Sequence, residues 1–166
     1  MRTLTPDIAY SPGFDDASRV WVYVASRPLS EAEVAALQEA LNDFVQRWTA
    51  HNRALKAVGE VFARRFIVLM VDETLAPASG CAIDHSVHFL EAMSYQLGVD
   101  LMDRMHFAWV EEERLYVAHR DEFARRVAQQ HIRPDTLVVN TLVQTKRDLH
   151  ERWLVPFGQS WHQRVV

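Results

Sequence analysis

The chain has 166 residues, 49% hydrophobic and 24% charged, with 18 Lys and Arg against 22 Asp and Glu, a net charge of -4 and a pI near 6.0. That length suits one well-buried core and a single domain over 1–166, and the balance argues against nucleic acid as a partner, because the basic pairs Arg64-Arg65 and Arg125-Arg126 are too small to grip a polyanion. The single cysteine closes no internal disulfide, the first residues lack the apolar stretch of a signal peptide, and the longest apolar run, Phe66 to Val71, is far below the ~20 residues that cross a bilayer, so a cytoplasmic protein without a membrane segment is expected.

Residues 1–18 carry Pro6, Pro12, Gly13 and Asp15-Asp16 without periodicity, and read as an extended lead-in, lying on the surface or partly loose. Val20 to Ala25 is a β-branched and aromatic run suited to a strand. Ser30 with Glu33 makes a capping box, after which Val34, Leu37, Leu41, Phe44, Val45 and Trp48 recur at helical spacing to near Thr49. Leu55 to Phe62 and Phe66 to Val71 are strands joined at Ala63-Arg64-Arg65 as an antiparallel hairpin, and the second, without polar alternation, is central. A helix follows from about Ile83 to Leu97, closed by Gly98. Met105 to Val110 is a further strand, Glu111 to Glu113 an exposed turn, and two more helices follow, near Arg120 to Gln130 and near Asn140 to Trp153. Val138, Leu142, Leu149 and Trp153 fit one helical stripe, so residues 136–139 read equally as strand or helix. The tail from Val155 to His162 is aromatic and is expected to pack.

The order β-α-β-β-α-β over the first two thirds predicts a ferredoxin-like α+β sandwich, mostly antiparallel, extended by C-terminal helices. Helices on one side of such a sheet leave its other face needing cover, which favours a homodimer over a monomer, with Trp21, Tyr23 and the Trp161 segment as the covering residues.

Cys81 is the sharpest candidate for chemistry, since a thiol at a helix N-terminus is a candidate nucleophile or redox centre, with His51 as base and Asp72 as its orienting carboxylate. The competing and favoured reading makes Cys81 a packed small hydrophobe, and His51 a complement to the dipole at the end of the first helix. Ser79, Gly80, Asp84 and His88 form the candidate ligand-binding turn. Asp84, His88 and Glu91 share a helix face with Tyr95, a set that suits metal-dependent hydrolysis but reads more simply as a solvated surface, and no metal or other cofactor is expected. The glycines at 13, 59, 80, 98 and 158 build neither a P-loop nor a dinucleotide-binding fingerprint, and no GxSxG elbow is present.

Three segments, WTAHNRALKA (Trp48 to Ala57), VDETLAPASGCAIDHSV (Val71 to Val87) and TLVVNTLVQTKRDLHERWLVPFGQSWH (Thr136 to His162), resemble a family of short bacterial proteins of unknown function that often bear the name ABC transporter ATPase. The resemblance runs from about Val20 to near the end and implies one domain, while contributing no catalytic residues. ATPase activity is not expected, because the chain has no Walker A loop to cradle the phosphates. The expected role is a small-ligand-binding or protein-interaction module with its site near residues 79–88. The alternatives are an enzyme using Cys81 and a metal-dependent hydrolase.

Overall fold

The computed structural model describes residues 2–166, a mixed α+β architecture built on two antiparallel sheets. The first sheet has the order β1-β5-β4, from β1 (Arg19–Val24), β4 (Lys56–Phe62) and β5 (Phe66–Asp72). β5 is buried along its whole length, as its unbroken apolar run requires of a strand covered on both faces. The β4–β5 turn places Ala63 and Arg64 in the left-handed region. Arg64 and Arg65 donate through Nε to the Leu29 and Ala25 carbonyls, so both cations brace the chain crossing beside the sheet.

α1 (Glu31–Arg47) begins at the expected capping box, with Glu33 N–H donating to Ser30 Oγ and the Ser30 N–H donating to the Glu33 carboxylate. Its Leu37, Leu41 and Val45 face the sheet. The helix lies so close to β4 that a Cβ on Gly59 would come within 2.7 Å of the Leu41 side chain; glycine lets the two elements meet. After α1 the chain makes a small hairpin, β2 (Thr49–Ala50) and β3 (Arg53–Ala54), whose tip is His51 and Asn52, both left-handed. α2 (Gly80–Leu97) starts three residues before the expected Ile83, because Ser79 Oγ accepts from the Ala82 N–H and caps it there. It ends where Gly98 turns left-handed, φ 64°. Trp48 Nε1 donates to the Ala82 carbonyl at 2.8 Å, tying the exit of α1 to the first turn of α2.

The second sheet, β7-β6-β8-β9, comprises β6 (His106–Glu111), β7 (Arg114–His119), β8 (Leu137–Val139) and β9 (Leu154–Pro156). The pairing does not bear out the ferredoxin-like order. The strand that would have been fourth in the first sheet, β6, bonds to β7 and β8 instead. α3 (Arg120–Ala128) packs Phe123 against Phe107 and Trp109 of this sheet. Of residues 136–139, Leu137–Val139 form strand, and the helix expected near Asn140 to Trp153 shrinks to the short α4 (Lys146–Glu151): Asn140 Oδ1 accepts from the Leu142 N–H, and Thr145 caps α4.

Residues 2–18 are no surface lead-in. Two 3-10 turns, Arg2–Leu4 and Asp7–Tyr10, bury Leu4, Ile8 and Ala9, and Trp153 Nε1 donates to the Leu4 carbonyl. The segment is then fastened by Lys146 Nζ, which donates to the Ser11 and Phe14 carbonyls at 2.7 and 2.8 Å. It joins Val139, Val143, Leu149 and Trp153 over the sheet face formed by Val20, Val22, Val24, Phe66, Val68 and Met70. The face for which a second copy was expected as cover is therefore covered within the chain, while on the α1–α2 side Tyr23 lies in the core and the half-buried Trp21 packs against it.

Candidate functional site

Cys81 occupies the first turn of α2 and is exposed, against the expectation of a packed sulfur. The apolar contacts of that turn are made by Ala82, one residue on, which turns inward. His51 lies exposed at the tip of the β2–β3 hairpin, not at the end of α1, so it does not complement the helix dipole. Asp72, at the end of β5, is buried and fully engaged: Oδ1 accepts from Thr74 N–H and Oγ, and Oδ2 accepts from the Asp15 N–H and lies 3.6 Å from Lys56 Nζ. Those hydrogen bonds, from Thr74 first and then Asp15, hold its carboxyl down to about 2. No hydrogen bond or ion pair joins Cys81, His51 and Asp72 among the described residues, and Asp72 is committed to fastening the segment around Asp15.

In the candidate binding turn, Ser79 is the cap of α2 and Gly80 has open space where a side chain would lie. Asp84, His88 and Glu91 are exposed along α2, with Tyr95 91% exposed beyond them. Among the described residues no group of three or more His, Cys, Asp and Glu side chains converges to hold a metal. Among the described residues no helix is long and apolar enough to cross a membrane.

The cavity that stands out lies elsewhere, along the outer edge of β1. It has a volume of about 420 Å³ and is bounded by Arg19 to Tyr23, by Thr141 to Thr145 and by Arg104. A second hollow of about 190 Å³ shares Val22, Tyr23, Arg104, Thr141 and Leu142 with it and continues towards Asp103, His106 and Trp161. The alternation of β1 puts Arg19, Trp21 and Tyr23 on one face. The Arg19 guanidinium lies 4.8 Å from the Trp21 ring centroid and reaches Glu73 at 3.8 Å. Arg104 lies 5.6 Å from the Tyr23 ring and, among the described residues, no carboxylate pairs with it. Burial raises the Tyr23 phenol above its ordinary value, opposed by the Arg104 charge and a bond to Ser86; because Ser86 Oγ donates to the Ile83 carbonyl, the neutral phenol gives its proton to Ser86.

The groove exists because the two segments on the outer edge of β1 touch it only at its ends. At one end Val20 N–H donates to the Gln144 carbonyl and Lys146 N–H to the Ser18 carbonyl, an antiparallel bridge centred on Arg19 and Thr145. At the other, Val24 bridges Asp103. Burial pushes the Asp103 carboxyl up, but the Met105 N–H bond and His106, whose Nδ1 lies 3.1 Å away, hold it below its usual value and keep that corner fixed. Sequence reasoning missed this site. The Arg19-Trp21-Tyr23 alternation was visible, but Arg104 and the 141–145 segment reach the same edge only through the fold. A comparison with protein-family models, curated proteins and solved structures finds no match to this chain.

Proposed function

We propose that the protein is a binding module for a small anionic ligand held in the groove along β1. The observation that carries this reading is Arg104, a cation that has no carboxylate partner among the described residues and that lines a cavity also bounded by Arg19. A cavity of about 420 Å³ falls within the range that takes a small molecule, and two guanidinium groups favour a carboxylate or phosphate over a neutral ligand. The enzyme reading through Cys81 has less support, because the groups proposed to activate the sulfur are not connected to it and Asp72 is engaged elsewhere.

Isothermal titration with glutarate, a flexible dianion, tests the reading. The expected result is saturable binding that weakens about tenfold in Arg104→Ala, the loss of one charge-assisted contact. Equal affinity of the two proteins, or no binding to either, contradicts it.

A further inference from the structure

The wall of the groove is more particular than a pair of arginines. Along a strand, alternate residues direct their backbone N–H and C=O groups to opposite edges. Ala25 N–H donates to the Arg65 carbonyl on the β5 side, whereas Val20 N–H donates to Gln144 on the other, so the odd-numbered residues of β1 serve β5 and the even-numbered ones face outward. On the outer edge Ser18 C=O and Val20 N–H are taken by the 144–146 segment, and Val24 is taken by Asp103. Between these two closures remain the Val20 C=O, the Val22 N–H and the Val22 C=O, for which no backbone partner exists among the described residues. Val22 is only 5% exposed, and a polar backbone group at a buried position is costly unless bonded. The three groups open onto the cavity, in the register of one antiparallel strand, with Arg19 near one end of the gap and Arg104 near the other.

We propose that this gap receives a short, extended, acidic peptide segment as an added strand of the first sheet. The proposal rests on the reading of the groove as an anion site and specifies its ligand. In antiparallel register the peptide carbonyl opposite Val22 accepts the Val22 N–H. The N–H of that same peptide residue donates to the Val22 C=O, and the N–H two residues further on donates to the Val20 C=O. Three backbone bonds supply pairing that is blind to side chains, and the two guanidinium groups select for carboxylates. The closures at Thr145 and Asp103 limit the insert to a few residues, so the edge accepts a short segment and does not propagate into sheet-to-sheet aggregation.

The test uses acetyl-Glu-Val-Glu-amide, the same peptide N-methylated at every residue, and glutarate, each titrated into the full chain with backbone amide shifts as readout. The expected result is saturable binding of the first peptide that moves the Val22 amide resonance, at least tenfold weaker binding of the N-methylated peptide, and weakening in Arg104→Ala. Equal binding of the two peptides, or binding of glutarate without binding of the peptide, overturns strand addition while leaving the anion site intact. Failure of the peptide and glutarate alike overturns both. Peptide binding that leaves Val22 unmoved and shifts residues 79–88 instead places the site at the start of α2 and overturns the proposal.

Discussion

His162 is wholly buried, stacked on Trp161 at 3.8 Å between centroids and ringed by Phe107 and Phe123. Ser160 Oγ donates to the Phe157 carbonyl, so it accepts from His162 Nδ1 at 3.2 Å, which leaves Nε2 unprotonated and, among the described residues, without a partner. Burial pushes its pKa down to about 4. The unfolded chain takes up this proton near pH 6.5 and the folded one does not, so stability is full above about 6.5 and falls as the pH drops towards 4, by up to about 3 kcal/mol. Denaturation midpoints of the wild type should therefore decline between pH 7 and 4.5 more steeply than those of His162→Phe. Parallel curves would show that His162 does not set the acid limit. Cys81 carries a different lesson at this scale. A residue at the start of a helix faces in or out according to where the helix begins, and the cap at Ser79 shifted that start by three residues.

At the scale of elements, the signals that were legible are local ones. The Ser30–Glu33 box, the β4–β5 hairpin and the Gly98 stop each depend on a few neighbouring residues, and each appears where the spacing placed it. The hydrophobic stripe of α1 supplies a prediction. Leu41→Ala opens a cavity against Gly59 and should cost about 2–5 kcal/mol, whereas Glu39→Ala on the exposed face should be nearly neutral. Equal urea midpoints for the two variants would contradict the packing of α1 on β4. The short strand β7 went unread because RLYVAH is half-exposed and its partner is fixed by the left-handed turn at Glu112-Glu113. The Val138–Trp153 stripe misled for a related reason. Helical spacing is only an opportunity, and β8 and β9 pair with each other more readily than they coil, since Asn140 and Thr145 both offer side-chain oxygens that start turns and caps.

For the whole molecule, the strand that was read correctly as a strand, β6, was assigned to the wrong sheet because nothing in HFAWVE states its partner. Both sheets are covered within one chain, the first by α1 and α2 on one side and by the N-terminal segment with residues 139–153 on the other. This closure also makes the candidate site. Residues 141–145 are drawn to the edge of β1 by the Lys146 and Thr145 contacts and leave it again before Val24, and the space between is the groove. The residues singled out around Cys81 remain a solvated helix start, and the charges at the groove, Arg19 and Arg104, are 85 positions apart in sequence. The measurement that tests this account most directly is a map of backbone amide shifts on addition of glutarate to the wild-type chain. The account predicts that the largest changes fall on residues 19–24, 104 and 141–145; changes confined to residues 79–91, or none at any saturating concentration, would contradict it.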